Sequence, residues 1–139
     1  MEAVFFVGGS VDALAVASSD DLDLALHVPL AAETLTLTDP SPLVGLGEIL
    51  GADRRVGPLR DATCRSFPVW DLGSEIAQRL AALDDAMIDL VAARWHAKHA
   101  SSLDADLYEL STCLADLRDA IRRADAGHRV FVLLEERAF

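Results

Sequence analysis

Between Ser74 and Ala126 the apolar residues recur by threes and fours. They fall at Ile76, Leu80, Leu83, Met87, Val91 and Trp95, then at Leu103, Leu107, Leu110, Leu114, Leu117, Ile121 and Ala124. Residues three and four apart share one face of an α-helix, so each set forms a single stripe. Two striped helices joined by a short polar link pack as an antiparallel pair and shield a small sheet built from the rest of the chain. Ser74 is the expected N-cap of the first helix, with Glu75 in its first turn, where a carboxylate suits the helix dipole. Asp84-Asp85 can recap, splitting it into Ser74–Ala82 and Asp85–His99. Ser101-Ser102 is the expected cap of the last helix and Gly127 its end.

The sheet must come from short segments. Ala3–Val7 (AVFFV) is a continuous apolar run with aromatic and β-branched residues, closed by Gly8-Gly9, which reads as a buried strand. Val11–Ala17 is open to two readings, a short helix capped by Ser10 or a second strand. Asp20 or Asp21 caps a turn through Leu26, and Pro29 ends what precedes it. Thr34–Thr38 (TLTLT) alternates strictly, so Leu35 and Leu37 share one face of a half-buried strand. Asp39-Pro40 then opens a short helix that runs through Leu50, with Leu43, Leu46 and Leu50 inward and Gly51 just past its end. Gly45 and Gly47 count against that helix.

Residues 52–65 read as an irregular segment with Arg54, Arg55, Arg60 and Arg65, turning at Gly57-Pro58. Phe67–Trp70 (FPVW) reads as a third strand, placed at an edge by Pro68, and Arg129–Leu134 (RVFVLL) as a closing buried strand. Strands at the two ends of the chain, both apolar throughout, pair best in the middle of one sheet. The expected architecture is α+β, one two-layer domain over 1–139, with three to five strands on a long antiparallel helical hairpin. An all-helical fold requires the short apolar runs to be buried helical turns instead.

The charge is unevenly spread. Of a net −11, the first 53 residues hold nine acidic side chains and no Lys or Arg, while the remainder holds 14 acids against 12 bases. Such a field repels nucleic acid and membrane phosphates and attracts basic partners. Solubility is the competing explanation. Asp12, Asp20, Asp21, Asp23, Glu33, Asp39 and Glu48 are the candidate partner-binding residues. The amino terminus lacks the positive charge of a signal peptide, and no apolar stretch approaches the roughly 18 residues that span a bilayer. Cys64 and Cys113 lack CxxC spacing and read as reduced thiols, a disulfide between them being the alternative. Together these features indicate a cytoplasmic protein.

Signals for chemistry are weak. VFFVGGSVDAL lacks both G-x-G-x-x-G spacing and a following Lys, and Asp12 opposes a phosphate, so an ordinary strand-to-helix turn explains it. His96 and His99 stand three apart, a spacing that can hold a metal, but no H-E-x-x-H is present and a helix carboxyl end favours histidine anyway. Cys113 lies beside the apolar stripe of the last helix and reads as core, whereas Cys64 sits among arginines that lower a thiol pKa. No catalytic residue, cofactor or metal is assigned. Asp119 and Arg123 exemplify a solvated helix face with i,i+4 pairs, and both tryptophans read as core.

FPVWDLGSEIAQRLAALDDAMIDLVAARW, a leucine-spaced helix and the GHRVFVLLEE ending give residues 66–136 a resemblance to small uncharacterised bacterial immunity-like proteins. The resemblance implies a strand, two helices and a closing strand, and a protein that neutralises a toxin of its own cell. It implies no catalytic residues. Composition, charge and resemblance together lead to one expectation: a non-catalytic, inhibitor-like protein that masks a basic partner such as a toxin. The rival expectation is a small enzyme or ligand-binding domain, with a pocket between sheet and hairpin and Cys64, Arg60, Arg65 or His96 at its mouth. A third is a subunit of a larger assembly, with an exposed apolar patch on the hairpin.

Overall fold

A computed structural model describes residues 2–8, 31–39, 41–51, 57–58, 69–124 and 129–135. The elements run β1 (Glu2–Gly8), β2 (Ala31–Leu37), α1 (Ser41–Leu50), β3 (Gly57–Pro58), β4 (Val69–Asp71), α2 (Ser74–Ala81), α3 (Asp85–Lys98), β5 (Leu103–Asp104), α4 (Leu107–Arg123) and β6 (Arg129–Glu135). The sheet order is β3-β4-β6-β1-β2-β5, with every pairing antiparallel. Among the described residues four strands have three residues or more, and a two-residue ladder closes each edge. This is the expected α+β architecture, with the two chain-end strands β1 and β6 paired at its centre from Glu2↔Glu135 to Gly8↔Arg129.

Strand alternation divides the sheet into two faces. Ala3, Phe5 and Val7 of β1, Leu35 and Leu37 of β2, and Val130, Val132 and Leu134 of β6 join one core with the helices. Val4, Phe6 and Phe131 occupy the other face and are also buried, the two rings stacked with centroids 5.5 Å apart. Thr34 and Thr36 make β2 polar and exposed on that face, so the TLTLT alternation does what its period requires.

The helical layer matches the expectation in its break and departs from it in detail. Asp84 caps α3 by accepting the Met87 N–H at 2.8 Å, so the first hairpin arm is two helices. The buried stripe of α3 is Ile88, Val91, Ala92 and Trp95, while Met87 is 42% exposed. A count carried over from α2 puts Met87 inward, but the link at Ala82–Asp84 resets the helical phase. Gly73, at φ 89°, is the N-cap of α2 in place of Ser74, because its N–H is held by the Asp71 carboxylate in a turn that opens only with positive φ.

The last helix also begins later than the sequence indicates. Leu103 is buried in the edge strand β5, and Asp106 caps α4 by accepting the Glu109 N–H at 2.8 Å. Leu107, counted into the stripe, is 46% exposed in the first turn. Ser102 is free of capping duty and donates instead to Asp39 at 2.9 Å, tying the α3–α4 link to the β2–α1 link. Arg118, the neighbour of Asp119 on the helix face read as solvated, is only 6% exposed. It bridges Asp85 at 2.8 Å and Asp119 at 3.0 Å, and donates with Arg122 to the Leu83 carbonyl, closing the exposed end of the α2–α3 link.

Strand β4 is not an edge. It lies between β3 and β6, and Gly57-Pro58 is a strand ladder rather than a turn. Proline still occupies an edge, as its missing N–H demands, but the residue is Pro58. Pro40, Pro68, Val11–Ala17, Asp20, Asp21, Cys64, Arg60, Arg65 and Gly127 lie outside the described residues.

Helix α1 is held by Trp95 of α3 and by His99, the residue just past the end of that helix. Trp95 is fully buried, donates from Nε1 to the Pro42 carbonyl at 2.8 Å, and meets Phe5 edge-on at 6.2 Å between centroids. His99 explains Gly45: a Cβ there would stand 1.8 Å from His99 Nε2. The glycine that counts against the helix by propensity is the residue that lets the two helices close together. Gly51 follows α1 at φ 75°, as expected of a residue just past a helix end.

Candidate partner-binding surface

Three of the seven acidic candidates are described, and they fall into two groups. Asp39 stands between β2 and α1, where it accepts the Ser41 N–H at 2.8 Å and the Ser102 hydroxyl. These bonds, the Ser41 contacts foremost, hold its carboxyl down at about 2. Glu48, on the outer side of α1, is paired with Lys98, which lowers its pKa. Both carboxylates face the half-buried His99 ring. Asp39 and Glu48 therefore act first as the polar fastening between α1 and the end of α3. Asp12, Asp20, Asp21 and Asp23 lie outside the described residues.

Glu33 is different. Its place opposite Phe5 in the β1–β2 register puts it on the helix-covered face of the sheet, where alternation calls for an apolar residue. It lies near Asp116, which α4 brings over β2, close enough for the two carboxyls to act on each other. Burial first, and then the neighbouring Asp116 carboxyl, push the Glu33 pKa up to about 7. No cation partners either group among the described residues. Most other acids in the described helices and links have something to do: Glu75 meets Arg79, Asp71 meets Arg129, Asp85 and Asp119 meet Arg118, and Asp84 and Asp106 cap helices.

Beside this pair a cleft of about 170 Å³ opens between β2 and α4, lined by Glu33, Thr34, Leu35, Tyr108, Glu109, Thr112 and Cys113. Tyr108 is 78% exposed at its rim. Cys113 is a free thiol, 2% exposed, and burial followed by the Glu33 and Asp116 charges push its pKa well above the usual thiol range. It is a core residue that reaches the cleft, and a thiol held protonated in this way is a poor nucleophile.

A pocket between sheet and hairpin thus exists, but the residues expected at its mouth are not those that form it. His96 lies on α3 away from the cleft, and Arg60, Arg65 and Cys64 are outside the described residues. Asp116 and Tyr108 were missed by sequence reasoning. Asp116 looks like one of many helix acids until the fold sets it near Glu33. The one available signal was Glu33 itself, an acid at the inward phase of TLTLT extended backwards by two residues. Among the described residues no three His, Cys, Asp or Glu side chains converge as metal ligands, and no helix is long and apolar enough to cross a membrane.

The fold and its cleft define a small α+β domain with an acidic seam between sheet and hairpin. No family model matches the chain, and no match is found among curated proteins or among solved structures.

Proposed function

We propose that this protein is a non-catalytic binding protein of the cytoplasm, immunity-like or inhibitor-like, that masks a basic protein partner such as a toxin. The observation that carries the reading is Glu33, a carboxyl near Asp116 with no cation among the described residues, which lines a cleft together with Glu109 and an exposed Tyr108. Acids held together without a countercharge weaken a fold and are tolerated where a partner supplies the charge. An exposed tyrosine beside them is the residue type that anchors interfaces. The excess of nine acids over no bases in residues 1–53 adds a long-range field that speeds encounter with a basic surface.

The experiment is capture of partners by the tagged chain from its own host at low and moderate salt, followed by binding kinetics with the purified partner. The expected result is one stoichiometric basic protein, lost as salt rises. Reversing Asp20, Asp21 and Asp23 to lysine should slow association while the chain stays folded. Association that does not change in that variant overturns the charge argument. A partnerless monomer favours the second reading, a small acid–base enzyme, which rests on the Glu33 carboxyl titrating near neutrality beside a cleft.

A further inference from the structure

Trp95, His99 and Lys98, at the carboxyl end of α3, hold α1 at Pro42, Gly45 and Glu48, positions three apart along one side of that helix. Two of these contacts are ordinary polar bonds. The Trp95 indole donates to the Pro42 carbonyl, and Lys98 pairs with Glu48 on the exposed side. The middle contact is of another kind. His99 Nε2 is buried against Gly45, so close that a Cβ there would stand 1.8 Å from it, and it has no hydrogen-bond partner among the described residues.

That position suits one protonation state of the ring. A neutral imidazole can keep its hydrogen on Nδ1 and leave Nε2 a bare lone pair, whereas the imidazolium carries an N–H on both nitrogens. A charged N–H pressed on Gly45 meets neither water nor an acceptor, and a buried charge without a partner strongly disfavours the state that holds it. The backbone of His99 is fixed and cannot relieve it. Its N–H donates to the Trp95 carbonyl at 3.1 Å, and its carbonyl accepts from the N–H groups of Ser102 and Leu103 at 2.9 and 2.8 Å. What can move is the ring and the helix that lies on it.

We propose that His99 is an acid-released latch on α1: with a neutral ring the helix closes on α3 over Gly45, and a proton on Nε2 drives the two apart. The charged groups that act on the ring are Lys98 of α3, Asp39 of the β2–α1 link and Glu48 of α1. Neither carboxylate accepts from Nε2, so a protonated ring bonds to them only by leaving Gly45. Asp39 is held down at about 2 and Glu48 below its ordinary 4.5, so between pH 5.5 and pH 7.5 both keep their charge while the ring changes its own. Burial first, and then Lys98, holds the ring below its ordinary 6.5 against the pull of the two carboxylates. The closed seam therefore binds the proton more weakly than the open one. Its stability is complete above pH 6.5 and declines as pH falls below that value. Release at Gly45 also loosens the Trp95–Pro42 bond, three residues away along the same side of α1. The latch does not depend on the reading of this chain as a binder of a basic protein, and either can fail without the other.

The test follows the full chain by NMR from pH 7.5 to pH 5.5, reading the His99 ring and the Trp95 indole N–H together. The ring should titrate below 6.5, and the Trp95 indole N–H and the Gly45 amide should shift with the same midpoint. Hydrogen exchange of the indole N–H, corrected for its intrinsic rate at each pH, measures the opening. Opening should increase severalfold from pH 7.5 to pH 5.5, and by about tenfold at most for an open-state ring that titrates at 6.5. His99→Gln, which cannot take up the charge, should open equally at both pH values, and His96→Gln, one turn back on α3, should keep the response of the unaltered chain. A ring that titrates at or above 6.5, or an indole exchange rate that ignores the titration of the ring, overturns the latch on the unaltered chain, whether or not a variant folds. A response that survives in His99→Gln, or that disappears in His96→Gln, belongs to another group and overturns the proposal as well.

Discussion

Replacing Glu33 by Gln should stabilise this protein, and only at high pH. The carboxyl ordinarily titrates at 4.5 and is pushed up to about 7 by burial and by Asp116. A raised folded-state pKa means that the native chain binds the proton more tightly than the unfolded chain does. The resulting stabilisation is complete below pH 4.5 and is lost as pH rises through about 7. Taken at face value, that difference corresponds to about 3.4 kcal/mol, at about 1.36 kcal/mol for each pH unit. Glu33 is only partly buried, so solvent screening reduces the figure to about 1–2 kcal/mol. Glutamine keeps the shape of the neutral acid and cannot ionise. At pH 5 the two proteins should melt together. At pH 8.5 Glu33→Gln should be more stable by about 1–2 kcal/mol, or roughly 3–6 °C in Tm for a domain of this size. Urea titrations at both pH values measure the gap directly. An equal effect at the two pH values, or a destabilised variant at pH 8.5, refutes the raised pKa of Glu33. In an Asp116→Asn background the pH-dependent gain should shrink in part, because the neighbouring charge is gone while the burial that comes first among its causes remains.

Other consequences follow from the packing of α1 and the cleft floor. Trp95→Phe removes the donor to the Pro42 carbonyl and part of the indole volume, and should cost about 2–3 kcal/mol in urea unfolding from the lost bond and the cavity. Gly45→Ala should destabilise the protein, since the new methyl collides with His99 at 1.8 Å, while in a His99→Ala background the same change should gain about 1 kcal/mol from helix propensity. A gain in both backgrounds would show that the ring does not occupy the space over Gly45. Cys113 should resist iodoacetamide in the native protein at pH 8 and react fully in urea, as read by peptide mass spectrometry. Asp106→Ala removes the cap of α4 and should cost about 1 kcal/mol in thermal unfolding.

Local pattern carried the fold where one period governed one element. The AVFFV and RVFVLL runs can satisfy two apolar faces only inside a sheet, and they pair at its centre. TLTLT fixed which side of β2 is dry, and Asp84 behaves as the cap its position suggested. Errors arose where phase had to be carried across a link. Met87 and Leu107 follow the count by threes and fours, yet the chain leaves the helix at Ala82–Asp84 and again before Asp106, and each exit resets the rotation. The burial of Arg118 is hidden for a related reason. A single sequence shows its charge but not the carbonyl of Leu83 and the carboxylates of Asp85 and Asp119 that make its burial tolerable.

The sequence by itself determined the class of fold, the acidic character of the first 53 residues and the inward phase that makes Glu33 conspicuous. Hydrophobic period and net charge are properties of a chain read along its length, so no partner in space is needed to see them. Only the tertiary structure decided that Asp39 and Glu48 fasten α1 while Glu33 lies near Asp116, 83 positions away along the chain, and lines a cleft with Tyr108. The environment of a carboxyl group depends on the groups within a few ångströms of it, and long-range packing alone brings those groups together.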